Sequence, residues 1–422
     1  MKKKNIIGIC CIMVVIIIFL VVSIIIINAN DEKKEMNAGN MKSNSSESTE
    51  GGSESGNSEV MLAETEGDTG ENTLETPVVS TEKWDLTKVN IVYDTNNVPV
   101  PVPKGYVASG ADGEHTVNTG FVIYQGDGEV NNDNAWDESV SRNQWVWVPV
   151  YDSSRIYSID ANGKRMGKLY DYSSTGRSSC TNSNYEPGIL TDKDKDKEED
   201  FARYNMIGMT RDKLYKELQV EYDSTIESIE KYGGFYIGRY ETGDLFSKIP
   251  VVKRMKTSIG NQNWYTMYSK MKYLGANSNV KANMIWGSLW DETLQWLVDS
   301  GCKTYEQVGT DSTSWGNYYH ATFEYTTSGG STLTKVNGNS KIPTGSTEYT
   351  NANNIYDMAG NVWELTFEIY QFVVTSSQYC ACRGGNPYDF GDGLSNLVCR
   401  RKGIEPSYQK SYVGFRAYFY IK

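Results

Sequence analysis

The sequence is poor in the residues and motifs that mark the common classes of enzyme. It contains two histidines, His115 and His320, so a metal site with three histidine ligands is excluded, whereas a site of two histidines and one carboxylate stays open. It has no Gly-x-Ser-x-Gly segment, no His-Glu-x-x-His segment and no phosphate-binding glycine loop. The hydrolase and nucleotidase classes that depend on those motifs are therefore not candidate functions.

One long segment near the N-terminus lacks charge altogether. Residues 6–27 are an almost wholly apolar run that follows Lys2, Lys3 and Lys4. A helix of that length, rising 1.5 Å per residue, crosses a hydrocarbon core of about 30 Å. Ala29 is a poor signal-peptidase site, so residues 1–28 are predicted to be an uncleaved membrane anchor. The lysines keep the N-terminus inside, and a single-pass protein with its C-terminal part outside the cell is expected.

Aromatic residues are absent from residues 29–83, which are rich in Ser, Glu and Gly and carry 13 acidic against 4 basic side chains. Such a segment cannot bury enough apolar surface to offset its chain entropy, so it is predicted to be a disordered stalk. The formal net charge of the whole chain is −12, and much of it lies in this stalk. The mildly acidic remainder argues against a nucleic-acid partner.

All of the Trp and Tyr residues lie from Trp84 onward, where a folded part with a large core is expected. Its many glycines and short apolar segments predict an α+β fold, rich in short strands and irregular loops with a few helices. We assign residues 84–144 to lead-in strands that pack on a main domain of residues 145–422. Residues 151–205 are interpreted as an insertion, and their charged run at 192–200 as a solvated loop.

Two helices and several strands are predicted from spacing and composition. Leu214, Leu218, Ile226 and Ile229 form an apolar stripe that ends before Gly233, which indicates an amphipathic helix. Residues 284–297 predict a second helix with Trp290, Leu294 and Leu297 facing inward. Strands are predicted at residues 121–124, 145–150 and 235–241.

Residues 354–366 place two carboxylates, Asp357 and Glu364, on either side of a Gly360-Asn361 turn. Glycine and asparagine accept positive φ, so the turn can direct several carbonyl groups the same way. Carboxylate and carbonyl oxygens are the ligands that Ca²⁺ prefers. By spacing alone, a tight turn with solvated acids is the alternative.

Four segments together resemble the formylglycine-generating enzyme (sulfatase-modifying factor) family. They are Asp357-Met-Ala-Gly-Asn-Val-Trp-Glu364, Arg383-Gly384-Gly385, Gly414-Phe415-Arg416 and Phe235-Tyr-Ile-Gly-Arg-Tyr-Glu241. The resemblance extends from about Trp145 onward and implies a C-type-lectin-like fold. It also implies a structural calcium ion. The implied ligands are Asp357, the backbone carbonyl oxygens of Gly360 and Val362, and Glu364.

The family's catalysts hold copper between two cysteines that follow the Gly-Gly pair, but here the matching positions are Asp389 and Leu394. Copper is therefore not expected, and iron is not expected because histidines are too few. Cys380, Cys382 and Cys399 leave three alternatives open, namely packing, a disulfide or a soft-metal site. The chain has 7 cysteines, of which five follow the anchor, and this odd number leaves at least one free or paired with another chain.

With the scaffold retained and the oxidase chemistry missing, the sequence favours a non-catalytic cell-surface protein that binds its ligand through C-terminal loops 386–412. Such loops suit an extracellular glycan, peptide or surface protein. Some relatives of this fold are variable proteins of diversity-generating retroelements, which suggests diversification in this region. The alternative is a formylglycine-generating or related copper-dependent oxidase with a displaced cysteine site. The predicted ligand-binding residues are Asn386, Tyr388, Asp389, Phe390, Asn396, Tyr408 and Tyr412.

Overall fold

A computed structural model of the chain describes residues 80–180, 184–188, 208–243, 249–271, 273–274, 279–372, 377–388 and 397–422. The predicted anchor at residues 6–27 and the stalk up to residue 79 lie outside these residues. Among the helices of the described part, none combines the length and the apolar character needed to cross a bilayer.

The secondary structure is dominated by short strands. The strands are β1 (Val89–Tyr93), β2 (Pro99–Pro103), β3 (Tyr106–Ala108), β4 (Val122–Gln125), β5 (Gln144–Pro149), β6 (Tyr157–Ile159), β7 (Arg165–Gly167), β8 (Tyr170–Tyr172), β9 (Arg177–Ser179), β10 (Gly234–Gly238), β11 (Val280–Met284), β12 (Thr322–Thr326), β13 (Thr332–Val336), β14 (Asn351–Ala352), β15 (Ile355–Tyr356), β16 (Trp363–Phe372), β17 (Ser377–Arg383), β18 (Lys402–Ile404), β19 (Val413–Phe415) and β20 (Ala417–Ile421). The helices are α1 (Ala135–Ser141), α2 (Arg211–Tyr232), α3 (Trp264–Met271), α4 (Gly287–Asp299) and α5 (Tyr305–Gly309).

A six-stranded antiparallel sheet lies at the centre, with the strand order β11-β20-β10-β5-β4-β3. Its aromatic side chains pack together across strands β5, β10 and β20. Trp145 meets Phe419 edge-on at 4.7 Å between ring centroids, and Phe419 stacks on Tyr236 at 4.8 Å. Strands β3 and β4 belong to residues 84–144, so this segment contributes directly to the sheet rather than only packing on it.

A second sheet has the order β18-β17-β16-β19, in which β19 runs parallel to β16. The side chains of β16 alternate in type along residues 363–368. Trp363, Leu365 and Phe367 alternate in sequence with the polar Glu364, Thr366 and Glu368, and the pairing with β17 is irregular between Leu365 and Ile369. All six are buried, so the strand places two carboxylates inside the protein. Both carboxylates need partners there, because an unpaired buried charge is costly.

The two predicted helices are present. Helix α2 buries Leu214, Leu218, Ile226 and Ile229, as predicted, and ends at Gly233 with φ 84°. Helix α4 buries Trp290, Leu294 and Leu297, also as predicted. It begins at Gly287 rather than at residue 284, because residues 280–284 pair with β20 in the central sheet.

The described residues therefore form an α+β fold with many short strands and few helices, which confirms the predicted class. Within the predicted insertion 151–205, residues 157–179 form two hairpins, β6–β7 and β8–β9. The charged run at residues 192–200 lies outside the described residues.

Candidate functional site

The segment with the predicted calcium ligands folds into a tight, buried turn. Asp357, Gly360 and Asn361 have φ values of 59°, 80° and 60°, in the left-handed region that Gly, Asn and Asp tolerate best. A Cβ on Gly360 would lie 2.4 Å from the backbone oxygen of Asn317, so glycine is required there. The Asn361 amide nitrogen donates to a carboxylate oxygen of Glu241 at 2.6 Å, which ties the turn to the segment that follows β10.

Asp357 lies at the start of this turn and is fully buried. One of its oxygens accepts hydrogen bonds from the Thr344 hydroxyl and the Gly345 N–H, both at 2.8 Å. The other accepts from the Thr350 hydroxyl at 2.7 Å. Burial raises the pKa of Asp357, and these three donors oppose the rise. The carboxylate therefore fixes the preceding loop against the turn.

Glu364 forms a bidentate pair with Arg416 of the Gly414-Phe-Arg416 segment. Arg416 Nε donates to Glu364 Oε2 at 3.0 Å, and Nη2 donates to Oε1 at 2.7 Å. The remaining guanidinium donors reach the backbone oxygens of Gly238 and Tyr356 at 3.0 and 2.8 Å. Both side chains are fully buried. Burial raises the pKa of Glu364 to about 7, against the lowering effect of Arg416. The pair thus joins β16 to the chain between β19 and β20.

These contacts bear on the predicted calcium ion. Both oxygens of Asp357 and both oxygens of Glu364 already accept hydrogen bonds from protein donors, and Arg416 places a positive charge at Glu364. In the described ranges, no group of three or more His, Cys, Asp and Glu side chains could hold a metal ion. This arrangement fits the guanidinium of Arg416 better than it fits a calcium ion. The predicted ligands of that ion are Asp357, Gly360, Val362 and Glu364. Calcium binding there stays a prediction, and the geometry argues against it.

Chelation distinguishes an arginine-paired turn from a calcium site. We expect excess EDTA, or added CaCl2, to leave the melting temperature of the wild-type protein unchanged. Glu364→Ala should lower the melting temperature equally with and without calcium, because Arg416 then lacks its buried partner. Differential scanning fluorimetry in matched buffers measures both. A melting temperature that falls with EDTA in the wild type but not in Glu364→Ala would establish the calcium site instead.

A second buried charge cluster surrounds the Arg383-Gly-Gly385 segment. Arg383 donates to Glu368 at 2.9 Å and to Asp291. Arg401 donates to the second oxygen of Glu368 and to the second oxygen of Asp291, each at 2.6 Å. Arg383, Glu368 and Asp291 are fully buried, and the side chain of Arg401 is 5% exposed. Two guanidinium groups and two carboxylates therefore form a buried square between α4, β16 and β17, and Arg401 also pairs with the part-exposed Asp171 at 3.1 Å.

The sequence motifs identified Arg383. They did not identify its two acidic partners, Asp291 and Glu368, or the second arginine of the cluster, Arg401. A signal was present in β16, where Glu364 and Glu368 alternate in sequence with apolar residues. Acids within such an apolar strand predict cationic partners inside the protein. No comparable pattern marks Arg401, whose position depends on the return of the chain after residue 396.

The cysteines that could replace the family's copper ligands are buried. Cys380 and Cys382 lie on β17, and Cys399 lies between β17 and β18. Burial raises the pKa of Cys380, and it raises the pKa of Cys399 to about 11. Cys382 donates its S–H to the backbone oxygen of Lys402 at 3.2 Å. Since the thiolate is the form that binds metals and attacks substrates, these environments disfavour both roles.

The C-terminal loops hold the predicted ligand contacts, and four of the seven predicted residues lie in the described part. Tyr388 and Tyr408 are 36% and 39% exposed, and Tyr412 packs against Tyr388 at 5.3 Å between ring centroids. Asn386 is 1% exposed, and its side chain accepts the N–H of Tyr388 at 2.7 Å. Asn386 therefore supports the loop through this hydrogen bond, and its role as a ligand contact stays a prediction. The predicted residues outside the described part are Asp389, Phe390 and Asn396.

Comparison with known proteins supports part of the resemblance. Residues 291–419 match the family model described as "Sulfatase-modifying factor enzyme 1-like domain", a narrower range than the one predicted from about Trp145. No curated protein matches the chain. A solved structure titled "Crystal Structure of CarF" is similar over 45% of this chain and 87% of that chain, at 16% identity and a TM-score of 0.26, and a likeness of that size supports no inference. The chain therefore carries a sulfatase-modifying factor enzyme 1-like domain at residues 291–419.

Proposed function

We propose that this protein is a non-catalytic, surface-anchored binding protein, which recognises an extracellular glycan, peptide or surface protein through its C-terminal loops on a C-type-lectin-like scaffold. The observation that carries the proposal is the exposure of Tyr388 and Tyr408 on the C-terminal loops. The charged residues at the ends of these loops, Arg383 and Arg416, form ion pairs inside the protein. Tyrosines supply a large contact area at low entropy cost, which is typical of adaptable binding surfaces.

The loops have rigid supports on both sides. The segment after β17 begins at Arg383, whose guanidinium is bound to Glu368 and Asp291. The segment before β20 ends at Arg416, which is bound to Glu364. A surface between two such clamps can vary in its exposed side chains while the scaffold keeps its geometry. Loops of this kind would suit the diversification that the sequence analysis suggested for this region.

A catalytic role finds less support. The oxidase alternative needs a copper-binding thiolate pair, whereas Cys380 and Cys399 have raised pKa values and Cys382 is bound to a backbone carbonyl. His115 and His320 do not join a group of potential ligands in the described part. Stoichiometric Cu(I) binding by the purified protein, together with oxidation of a cysteine-containing peptide, would overturn the non-catalytic proposal.

Surface anchoring rests on the sequence of residues 1–28, which lie outside the described residues. We propose a single helix at residues 6–27 with the folded part outside the cell, held away from the membrane by the acidic stalk. The test is protease treatment of intact cells. Added protease should remove the folded part from intact cells, whereas protection until the cells are lysed would contradict this topology.

A ligand screen tests recognition by the loops. We expect glycan and peptide arrays probed with residues 74–422, the compact unit of the chain, to give at least one specific ligand. Tyr388→Ala and Tyr408→Ala should weaken its binding about tenfold or more, because exposed tyrosines at the centre of an interface are frequent hot spots.

The matched control for this screen is Tyr93→Ala, since Tyr93 is 56% exposed and lies on β1 outside the loops. Its variant should bind as the wild type does. Equal affinity of all three variants for every ligand found would remove the loops from the binding site. Repeating the screen with EDTA also shows whether recognition needs calcium.

A further inference from the structure

An open polar cleft lies apart from the C-terminal loops. It has a volume of about 640 Å³, within the range of roughly 300–1,000 Å³ typical of ligand sites. Its walls come from the loop between β3 and β4, from the chain around Arg254, and from the hairpin β14–β15. None of the described residues of loops 386–412 (386–388 and 397–412) lines it. The cleft is therefore a different surface from the one proposed above.

The walls of the cleft are held in place before any ligand binds. Asn353 and Asn354, with φ values of 48° and 63°, form the two-residue turn of the hairpin β14–β15. The Asn354 amide donates to the backbone oxygens of Gly113 and Gly120, at 2.7 and 2.8 Å. A Cβ on Gly120 would lie 2.0 Å from the backbone oxygen of Asn353, so the two walls meet at close range. Such a preformed cleft loses little entropy on binding.

The charges of the cleft are already paired. Arg239 is 3% exposed and donates to Glu114 at 2.6 Å, while Arg254 donates to Glu348 at 3.3 Å. Asp112 adds one more acid to the lining. With two arginines against three acids, the cleft offers no excess positive charge to a phosphate or carboxylate ligand. An anionic ligand is disfavoured on this ground.

Two buried polar atoms at the cleft have unused hydrogen-bonding capacity. Arg239 Nε is a donor without a partner, and Asn351 Oδ1 is an acceptor without a partner, within the part of the chain that the structure describes. Buried polar groups normally find a partner, and each one left unpaired is costly. Both atoms lie beneath the surface of the cleft. The groups that line the wall itself are amides and carboxylates, and these suit the hydroxyl groups of a ligand, which both accept and donate.

An aromatic surface adjoins the cleft on the side of Arg254. The Arg254 guanidinium lies over the Trp136 ring at 4.3 Å from its centroid, and Trp136 is 50% exposed. Arg254 covers one face of this indole, and the half-exposed remainder adds apolar surface beside the polar groups, against which the C–H face of a sugar ring can pack. We infer that this cleft is a second binding site, which takes a neutral, polyhydroxylated ligand, namely a carbohydrate.

The test uses the full chain and a panel of neutral sugars, namely glucose, galactose, mannose, N-acetylglucosamine and their disaccharides, read by saturation-transfer difference NMR. At least one sugar should bind the wild type. Asn351→Ala should weaken that binding about tenfold, because it removes an amide from the lining of the cleft. Thr119→Trp should abolish it by filling the cleft without touching the buried ion pairs. Tyr93→Ala, remote from the cleft, should bind as the wild type does.

The outcomes separate this inference from the loop proposal. Absence of binding by every sugar of the panel, or binding that survives both cleft variants, would overturn it. Loss of sugar binding in Tyr388→Ala but not in the cleft variants would also overturn it, and would assign the sugar to the C-terminal loops. Glucose 1-phosphate serves as the charged probe, and its binding in place of neutral sugars would refute the predicted ligand class.

Discussion

Arg383→Met is expected to lower the free energy of unfolding by about 3–5 kcal/mol, because it removes one partner from a fully buried ion cluster. The substitution leaves Asp291 and Glu368 with Arg401 as their remaining guanidinium, so one negative charge stays buried without a counter-ion. Methionine keeps much of the apolar volume, which limits the loss to electrostatics and hydrogen bonds. Urea denaturation followed by tryptophan fluorescence measures the change.

The matched control is Arg165→Met on β7. Arg165 is 25% exposed and pairs at 3.3 Å with Glu227, which is 66% exposed. Exposed pairs contribute at most about 1 kcal/mol, so this variant should change little. The double variant Arg383→Met/Glu368→Gln restores a one-to-one balance of charge and should lose less than the sum of the two single variants. Equal losses in Arg383→Met and Arg165→Met would contradict a stabilising role for the cluster.

The helices and the central strands could be predicted because their signals are local. Leu214, Leu218, Ile226 and Ile229 repeat at helical spacing, and that repeat is set by the chain itself. Val98–Pro103 shows the limit of local reasoning. Its prolines favour an extended connector, but residues 99–103 pair with β1. The two valines of this strand, which alternate with its prolines, are buried. A two-stranded hairpin has only edge strands, where the missing N–H of proline is tolerated.

The site was predictable only in part, for a related reason. The motifs located Asp357, Glu364, Arg383 and Arg416, but pairing in space decides what each of them does. Glu364 binds Arg416, which lies 52 positions away in the sequence. Spacing within the turn pointed to a cation, whereas the folded chain supplies a guanidinium from a distant segment. An oxygen-rich turn therefore predicts a positively charged partner, but it does not tell whether that partner is a metal ion or an arginine.

A further buried carboxylate, that of Glu186, links the insertion to the start of α4. Glu186 is fully buried, and its two oxygens accept the backbone N–H groups of Gly287 and Ser288, both at 2.7 Å. These are free donors of a helix N-terminus, where a carboxylate is favoured. Burial nevertheless raises the pKa of Glu186 to about 7, and the neighbouring carboxylate of Glu368 adds to the rise. Glu186 is therefore expected to release a proton within the physiological range of pH.

Glu186→Gln should remove this titration, so a comparison of the variant with the wild type measures how much the titration of Glu186 contributes to stability. The ordinary pKa of 4.5 applies to the unfolded chain and about 7 to the folded one, so the folded state binds the extra proton between these values. The contribution of this proton to the free energy of unfolding is fully present below pH 4.5. It decreases by about 1.4 kcal/mol per pH unit as the pH rises from 4.5 and is lost as the pH passes through 7. The free energy of unfolding of the wild type, minus that of Glu186→Gln, should therefore fall by about 3 kcal/mol from pH 4.5 to 7. Urea denaturation at four pH values measures the difference, with Glu324→Gln on the exposed face of β12 as the control. A difference that rises with pH would instead mean that the helix N-terminus outweighs burial and keeps Glu186 ionised.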